Sequence, residues 1–375
     1  MTEAEPLQQV DRTCVQTGAG QLAYFSGCDY FRMASHPRVV RAAREALRTR
    51  GLNVAASRVT TGHHALYDQL ERRLAEFFQA EDALLLPSGY TTGLAVAQAL
   101  AGRFTHAFID ERAHVCLLDA ARFLDCPLVK FNHRDAAALA RRLRACGKEA
   151  KPLVLTDGMF ARDGAVAPLK EYLEVLPRNG VILVDDAHGS GVVGIHGRGA
   201  LEHAGVGRRQ IIQTITLSKA FGAYGGAVLG TRELRARIVR AGRLFPGSTP
   251  VPLPLAGAAL AAVELLAADG RFLQRLRRNT DRVRVALRRN GWDVPETPGP
   301  IVALPPMDAR PSSALQRRLL AGGIYPPLIC YPGAPAGGYF RFVISSEHTA
   351  AQLENLTGVL AAYAARRAAA EKSAA

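Results

Sequence analysis

Between residues 83 and 230 short apolar runs alternate with helical segments, and this alternation leaves the chain few folds. The runs are Ala83 to Leu86, Ala107 to Ile109, Leu128 to Phe131, Leu153 to Thr156, Val181 to Val184, Ile211 to Thr216 and Ala227 to Gly230. Helical patterns begin between them at Gly89, near His114 and at Pro168. Strands without polar alternation, separated by helices, predict a mostly parallel sheet covered on both faces, an α/β fold. Open α/β sheets place their ligands at the carboxyl ends of such strands.

The flanks read differently. His36-Pro37 opens an amphipathic helix with Val39, Val40, Ala43 and Leu47 on one face, ending at Gly51. A polar connector with Ser57, Arg58 and Gly62 leads to a second helix, Leu66 to Phe78. Beyond Pro246 a proline-rich stretch precedes an alanine-rich helix and an arginine-rich one, Arg271 to Arg289. A helix from Ser312, a strand-like Tyr339 to Ile344 and a helix from Thr349 complete the chain. The 375 residues thus divide into an N-terminal segment and helix (1–50), a large domain (51–250), and a helical connection with a small α+β domain (251–375).

Hydrophobic residues make up 48% and charged ones 21%, as in ordinary globular proteins. The net charge of +14 comes from arginines spread over most helices, with no aromatic-interleaved basic segment, so it predicts anionic substrates or partners and no nucleic acid. The arginine-rich helix reads as a solvated outer face; the competing reading is a contact for an acyl carrier or nucleotide. Cysteines 14, 28, 116, 126, 146 and 330 lie far apart with no C-x-x-C, so neither a metal site nor a disulfide framework is expected, which suits a reducing cytoplasm. The acidic N-terminus reads as no signal peptide, and no apolar run is long enough to span a membrane.

The chemistry centres on TITLSKAFGAYGG, residues 214–226. Its lysine, Lys219, follows a run that reads as a buried strand, where an ammonium is costly. Burial lowers a lysine's pKa and makes its amine a nucleophile, fit for a Schiff base with a carbonyl compound such as pyridoxal phosphate. Taken alone, it reads first as a structural or surface lysine, and only a second, matching motif elsewhere reverses that. Upstream, the strand VILVD ends in Asp185, Asp186 and His188. If Lys219 holds pyridoxal phosphate, Asp185 is the carboxylate that keeps the ring nitrogen protonated and His188 bonds the phenolic oxygen. The same residues would also serve as metal ligands or a helix cap. In LPSGYTTG, Ser88-Gly89 begins a helix whose first amides form a phosphate site or merely a cap. Thr216 and Ser218 offer hydroxyls to the same phosphate, and His114, after another strand, is placed to stack on a flat ring.

Taken together, DYFRMASHP (29–37), ASRVTTG (56–62), LPSGYTTG (86–93), ERAHVCLLDA (111–120), DGMFARDGAVAPL (157–169), VDDAHGSGVVGIHGRG (184–199), TLSKAFG (216–222) and GYFRFVISSEHT (338–349) resemble the α-oxoamine synthases, in the same order. These are fold-type I pyridoxal phosphate enzymes, with a large domain around a mostly parallel sheet and a smaller α+β domain. The resemblance implies that Lys219 is the Schiff-base lysine, Asp185 the pyridine-nitrogen partner, His188 the phenolic-oxygen contact and His114 the stacking histidine. Ser88, Gly89 and Tyr90 match the cofactor loop, and Thr216 and Ser218 its phosphate side. Asp157 stands for the family's usual glutamate, Thr249 matches a phosphate contact from a second subunit, and Arg341 matches the arginine holding the amino-acid carboxylate. A shared site implies a homodimer. The implied reaction condenses a small α-amino acid with an acyl thioester, on CoA or an acyl carrier protein, and releases carbon dioxide to leave an α-amino ketone. The alternatives are another reaction on the same scaffold, such as an aminotransferase, an aldolase-type lyase or a decarboxylase, or from other classes a non-catalytic subunit or a basic nucleic-acid-binding protein. Departures fall on the substrate side: Cys28 and Arg32 replace the asparagine and glycine of Asn-Asp-Tyr-Leu-Gly, and Ala161 replaces a serine. Ser57 sits where glycine-restricted members carry threonine.

Overall fold

The computed structural model describes residues 6–18, 20–330 and 335–374, which form two compact units. The smaller comprises the chain up to Ser35, Ala161–Gly164 and everything from Arg271; the larger comprises His36–Phe160 and Ala165–Gly270.

In the smaller unit the chain begins as an antiparallel meander of β1 (Gln8–Gln9), β2 (Cys14–Thr17) and β3 (Gly20–Ala23). The larger unit is built on seven strands: β4 (Asp82–Leu86), β5 (His106–Asp110), β6 (Leu128–Phe131), β7 (Pro152–Asp157), β8 (Val181–Asp185), β9 (Ile211–Thr216) and β10 (Gly226–Gly230). They lie in the order β4-β10-β9-β8-β7-β5-β6, and β10 alone runs against the rest. All six residues of β7 are buried, as the unbroken apolar runs require. Helices Gly89–Ala99, Val115–Ala121 and Arg232–Ala241 give Val96, Leu117 and Ile238 to a core shared with Leu84, Leu155 and Leu183 of the sheet. Parallel register sets Asp157 beside Asp185, and Asp185 beside Thr214, so the chemistry-bearing residues gather at one end of the sheet.

The domain limits differ from those read in the sequence. Helix Pro37–Arg50 belongs with the larger unit because it packs on helix Leu253–Ala268, which the sequence reading assigned to the C-terminal part. The two approach closely: a side chain at Gly257 would lie 2.9 Å from Ala46 Cβ. The contact is made by a partner about 200 residues away in sequence, which composition shifts do not register, and it leaves Val40 and Leu47 of the expected apolar face exposed while burying Val39 and Ala46.

The smaller unit closes around β11 (Ile301–Ala303), β12 (Leu328–Ile329) and β13 (Tyr339–Val343), with β13 central and antiparallel to both. Phe340, Phe342, Leu315, Val283, Trp292 and Leu356 form its core. The arginine-rich helix is not wholly a solvated face. Arg284 is buried and donates to Thr297 Oγ1 at 2.8 Å, to the Ile301 carbonyl at 3.2 Å and to the Gly299 carbonyl. Arg32, in place of the family's glycine, keeps glycine's left-handed backbone (φ 52°). It is held there by a 2.9 Å bond to the Tyr24 carbonyl and by stacking on the Tyr24 ring, 5.5 Å away.

Candidate active site

Lys219 stands three residues beyond β9, in the turn that reverses the chain into β10. The turn is tied by Leu217 N–H to the Gly225 carbonyl (2.9 Å) and by Gly222 N–H to the Lys219 carbonyl (2.9 Å). Lys219 is half-buried, not sealed behind the strand as the apolar run implied, because the turn carries it onto the wall of an open cleft. That cleft, about 200 Å³, brings together Ser88, Gly89, Tyr90, His114, Asp157, Asp185, His188, Thr216, Ser218 and Lys219, all anticipated from sequence. Cys116, Met159 and Ala187 join them unanticipated.

Ser88 caps helix Gly89–Ala99 through a reciprocal capping box with Thr91. Gly89 is required by proximity: a Cβ there would lie 2.7 Å from the Thr216 Cβ, so the helix head can press against the end of β9 only without a side chain. Thr216 lines the cleft, yet its hydroxyl donates to the Gly225 carbonyl (3.2 Å) and accepts from Ser218 N–H (3.2 Å), which holds the lysine turn. Tyr90 donates to Asp119 and meets His114 edge-on, with ring centroids 6.3 Å apart.

Asp185 ends β8 with both carboxylate oxygens held. Ala187 N–H donates to Oδ1 (3.0 Å) and the Cys116 thiol to Oδ2 (3.0 Å). His114 accepts the Cys116 N–H at Nδ1 (3.3 Å), which leaves its proton on Nε2. Burial, with a contribution from the Lys219 charge, holds the imidazole below the usual histidine pKa, so it is neutral at pH 7. Asp157 accepts the His114 N–H (3.0 Å), and burial followed by the Asp185 charge raises its pKa well above the carboxylate range. Burial and Asp185 also raise the Cys116 pKa, keeping a thiol. His114, Cys116 and Asp185 place ligand-type atoms within 4.8 Å of one another. They are already hydrogen-bonded as a set, and the protonated thiol is a poor metal ligand.

Asp186, next in sequence, faces the other way and is fully buried. Its Oδ2 accepts from Ala200 N–H (2.9 Å) and Gln213 Nε2 (2.6 Å), and burial raises its pKa to about 7. Side chains at Gly158, Gly189 or Gly199 would overlap its carboxyl. It fixes the backbone beside Asp185, a role that the paired aspartates in the sequence do not reveal.

Of the other anticipated residues, Ser57 and Thr249 belong to the larger unit and lie outside this cleft. Ser57 shapes its loop, its carbonyl accepting Gly62 N–H at 2.9 Å, and Thr249 is exposed. Cys28 and Arg341 belong to the smaller unit, where Arg341 donates to the Ala161 carbonyl (3.0 Å).

Residues 25–360 match the aminotransferase class I and II family. An 8-amino-7-oxononanoate synthase of Thioalkalivibrio sulfidiphilus is 36% identical over 91% of this chain and 88% of its own. Among solved structures, the serine palmitoyltransferase of Sphingomonas wittichii is 28% identical, covers 94% of this chain and 90% of its own, and superposes with a TM-score of 0.89. A serine palmitoyltransferase from S. paucimobilis with bound pyridoxal phosphate and myriocin is 27% identical over 96% of this chain and 92% of its own, with a TM-score of 0.90. The chain belongs to the aminotransferase class I and II family and, within it, to the α-oxoamine synthases.

Proposed function

We propose that the cleft holds pyridoxal phosphate on Lys219 and that the protein is a pyridoxal phosphate-dependent acyltransferase, joining a small α-amino acid to an acyl thioester with loss of carbon dioxide. The observation that carries this reading is the meeting of Lys219, Asp185, His188, His114 and the Gly89 helix head in one cleft. These residues fit the group. The helix head presents first-turn amides with no side chain at Gly89 to cover them, Asp185 offers an oriented carboxylate, and Lys219 offers an amine beside both. The relatives named above are a synthase and palmitoyltransferases, which favours condensation over transamination on this scaffold.

When bound, the cofactor supplies a ring that draws electrons from the amino acid's Cα. Asp185 would hold a proton at the ring nitrogen, and His188 would donate to the ring oxygen. Lys219, freed as the amino acid binds, removes the proton from Cα at its Nζ. The neutral His114, its proton on Nε2, donates to the thioester carbonyl as charge builds there. A Cα–C bond forms at that carbonyl, the C–S bond breaks and thiol leaves, and the amino acid's carboxyl departs as carbon dioxide. The resemblance supports Arg341 as the carboxylate-binding arginine and Cys28 and Ser57 as residues of the amino-acid side.

The enzyme works as a homodimer in which Thr249 of each subunit serves its partner's cleft. Its exposure outside its own cleft supports this, as do Leu52 (64% exposed), Ile195 (76%) and Tyr224 (48%), large apolar residues left open on the larger unit. No single helix among the described residues is long and apolar enough to cross a membrane. We place the enzyme in the cytoplasm.

The test is release of free thiol from an acyl thioester by purified protein loaded with pyridoxal phosphate, across a panel of small amino acids. Thiol release that requires both amino acid and Lys219 is expected. A colourless protein that takes up no pyridoxal phosphate would overturn the reading.

A further inference from the structure

We propose that Cys116 is a positioning residue for Asp185 and, through it, for the ring nitrogen of bound pyridoxal phosphate, an inference that rests on the reading above. Its side chain is 2% exposed, and its Sγ–H reaches Asp185 Oδ2 at 3.0 Å. The other oxygen, Oδ1, takes the Ala187 N–H at the same distance. Two donors from separate segments fix the plane of the carboxylate, which one donor would leave free to turn about Cβ–Cγ.

The direction of the thiol proton follows from its surroundings. His114 Nδ1 lies 3.0 Å from the same sulfur but already accepts the Cys116 N–H, so it carries no proton to give. The single lone pair of Nδ1 is taken by that N–H, whereas Asp185 Oδ2 has acceptor capacity to spare, so the thiol's one hydrogen runs to Asp185. Sulfur is a weak donor, so the thiol orients the carboxylate while drawing little of the negative charge that Asp185 needs to hold a ring proton. A serine hydroxyl would orient equally and draw more.

Cys116 also packs in the apolar core beside Leu117 and Ala120, so a purely structural role must be told apart. The experiment measures the dissociation constant and off-rate of pyridoxal phosphate by absorbance, for Cys116→Ala and Cys116→Ser with Asp185 present and in an Asp185→Asn background. Cys116→Ala is expected to weaken cofactor binding about 3- to 10-fold with Asp185 present, the worth of one hydrogen bond, and by less than about 1.5-fold in the Asp185→Asn background. Cys116→Ser should bind within about 2-fold of wild type while shifting the pH midpoint of the bound cofactor's absorbance by at least about 0.3. No loss with Cys116→Ala, or an equal loss in both backgrounds, overturns the inference. Should Cys116→Ala not fold, an unshifted midpoint in Cys116→Ser overturns it alone. Wild-type protein that binds no pyridoxal phosphate refutes the parent reading instead.

Discussion

Asp157 and Asp185 are register partners at the ends of adjacent parallel strands, and two buried carboxyls so placed do not ionise together. Burial and the Asp185 charge raise the pKa of Asp157, which favours the protonated acid there. Asp157→Asn, which mimics the protonated acid, should therefore cost far less turnover than Asp185→Asn. We expect less than about 5-fold against about 100-fold or more, because only the second removes the charge opposite the ring nitrogen. Thiol release at pH 7 measures both, and equal losses would mean that the charge is shared. This division of labour is half legible in the sequence. VILVDDAHG marks Asp185 and His188, since polar residues ending an apolar strand have few purposes. Cys116 carries no such signal: a solitary cysteine reads as a small core residue, and only the fold brings it to Asp185. Asp186 is hidden for a similar reason, because the glycines that cage it come from separate segments.

At the scale of elements, the site is a junction between the head of helix Gly89–Ala99 and the end of β9, where Gly89 and Thr216 touch backbone to side chain. Gly89→Ala would set a Cβ 2.7 Å from that of Thr216. The overpacking should destabilise the cofactor-free protein by about 1–3 kcal/mol and weaken cofactor binding as the helix head shifts. Urea unfolding and absorbance titration measure the two effects, and Thr216→Gly in the same chain should recover part of the first. An unaltered urea midpoint in Gly89→Ala would show that the contact yields without cost. The strands themselves were legible as apolar runs, and Leu153 to Thr156 and Ile211 to Thr216 fall within or coincide with β7 and β9. The antiparallel insertion of β10 was not, because a run such as Ala227 to Gly230 carries no mark of its direction.

Two properties belong to the molecule as a whole. Asp186 makes stability depend on pH with a sign opposite to that of an ion-paired carboxylate. Its pKa is about 7 when folded, against an ordinary value of 3.8. Below about pH 4 Asp186 is protonated in both states and its contribution to stability is greatest. From there to about pH 7 its carboxyl ionises in the unfolded chain but not in the folded one, so this contribution falls by up to about 4 kcal/mol. Asp186→Asn lacks this slope, and urea midpoints of the cofactor-free protein between pH 4 and 8 should diverge from wild type; parallel curves would remove the argument. The second is the shared site proposed above. Mixing Lys219→Ala subunits with Thr249→Asp subunits, each inactive by itself, tests it directly. A mixed dimer then holds one cleft with both defects and one with neither. Random reassortment makes half the dimers mixed, so about one quarter of wild-type turnover should return. Recovery requires subunit exchange, which mild urea treatment and size measurement can verify. If exchanged mixtures gain no activity, Thr249 serves the cleft of its own chain, and the loop that carries it must be placed within a single subunit.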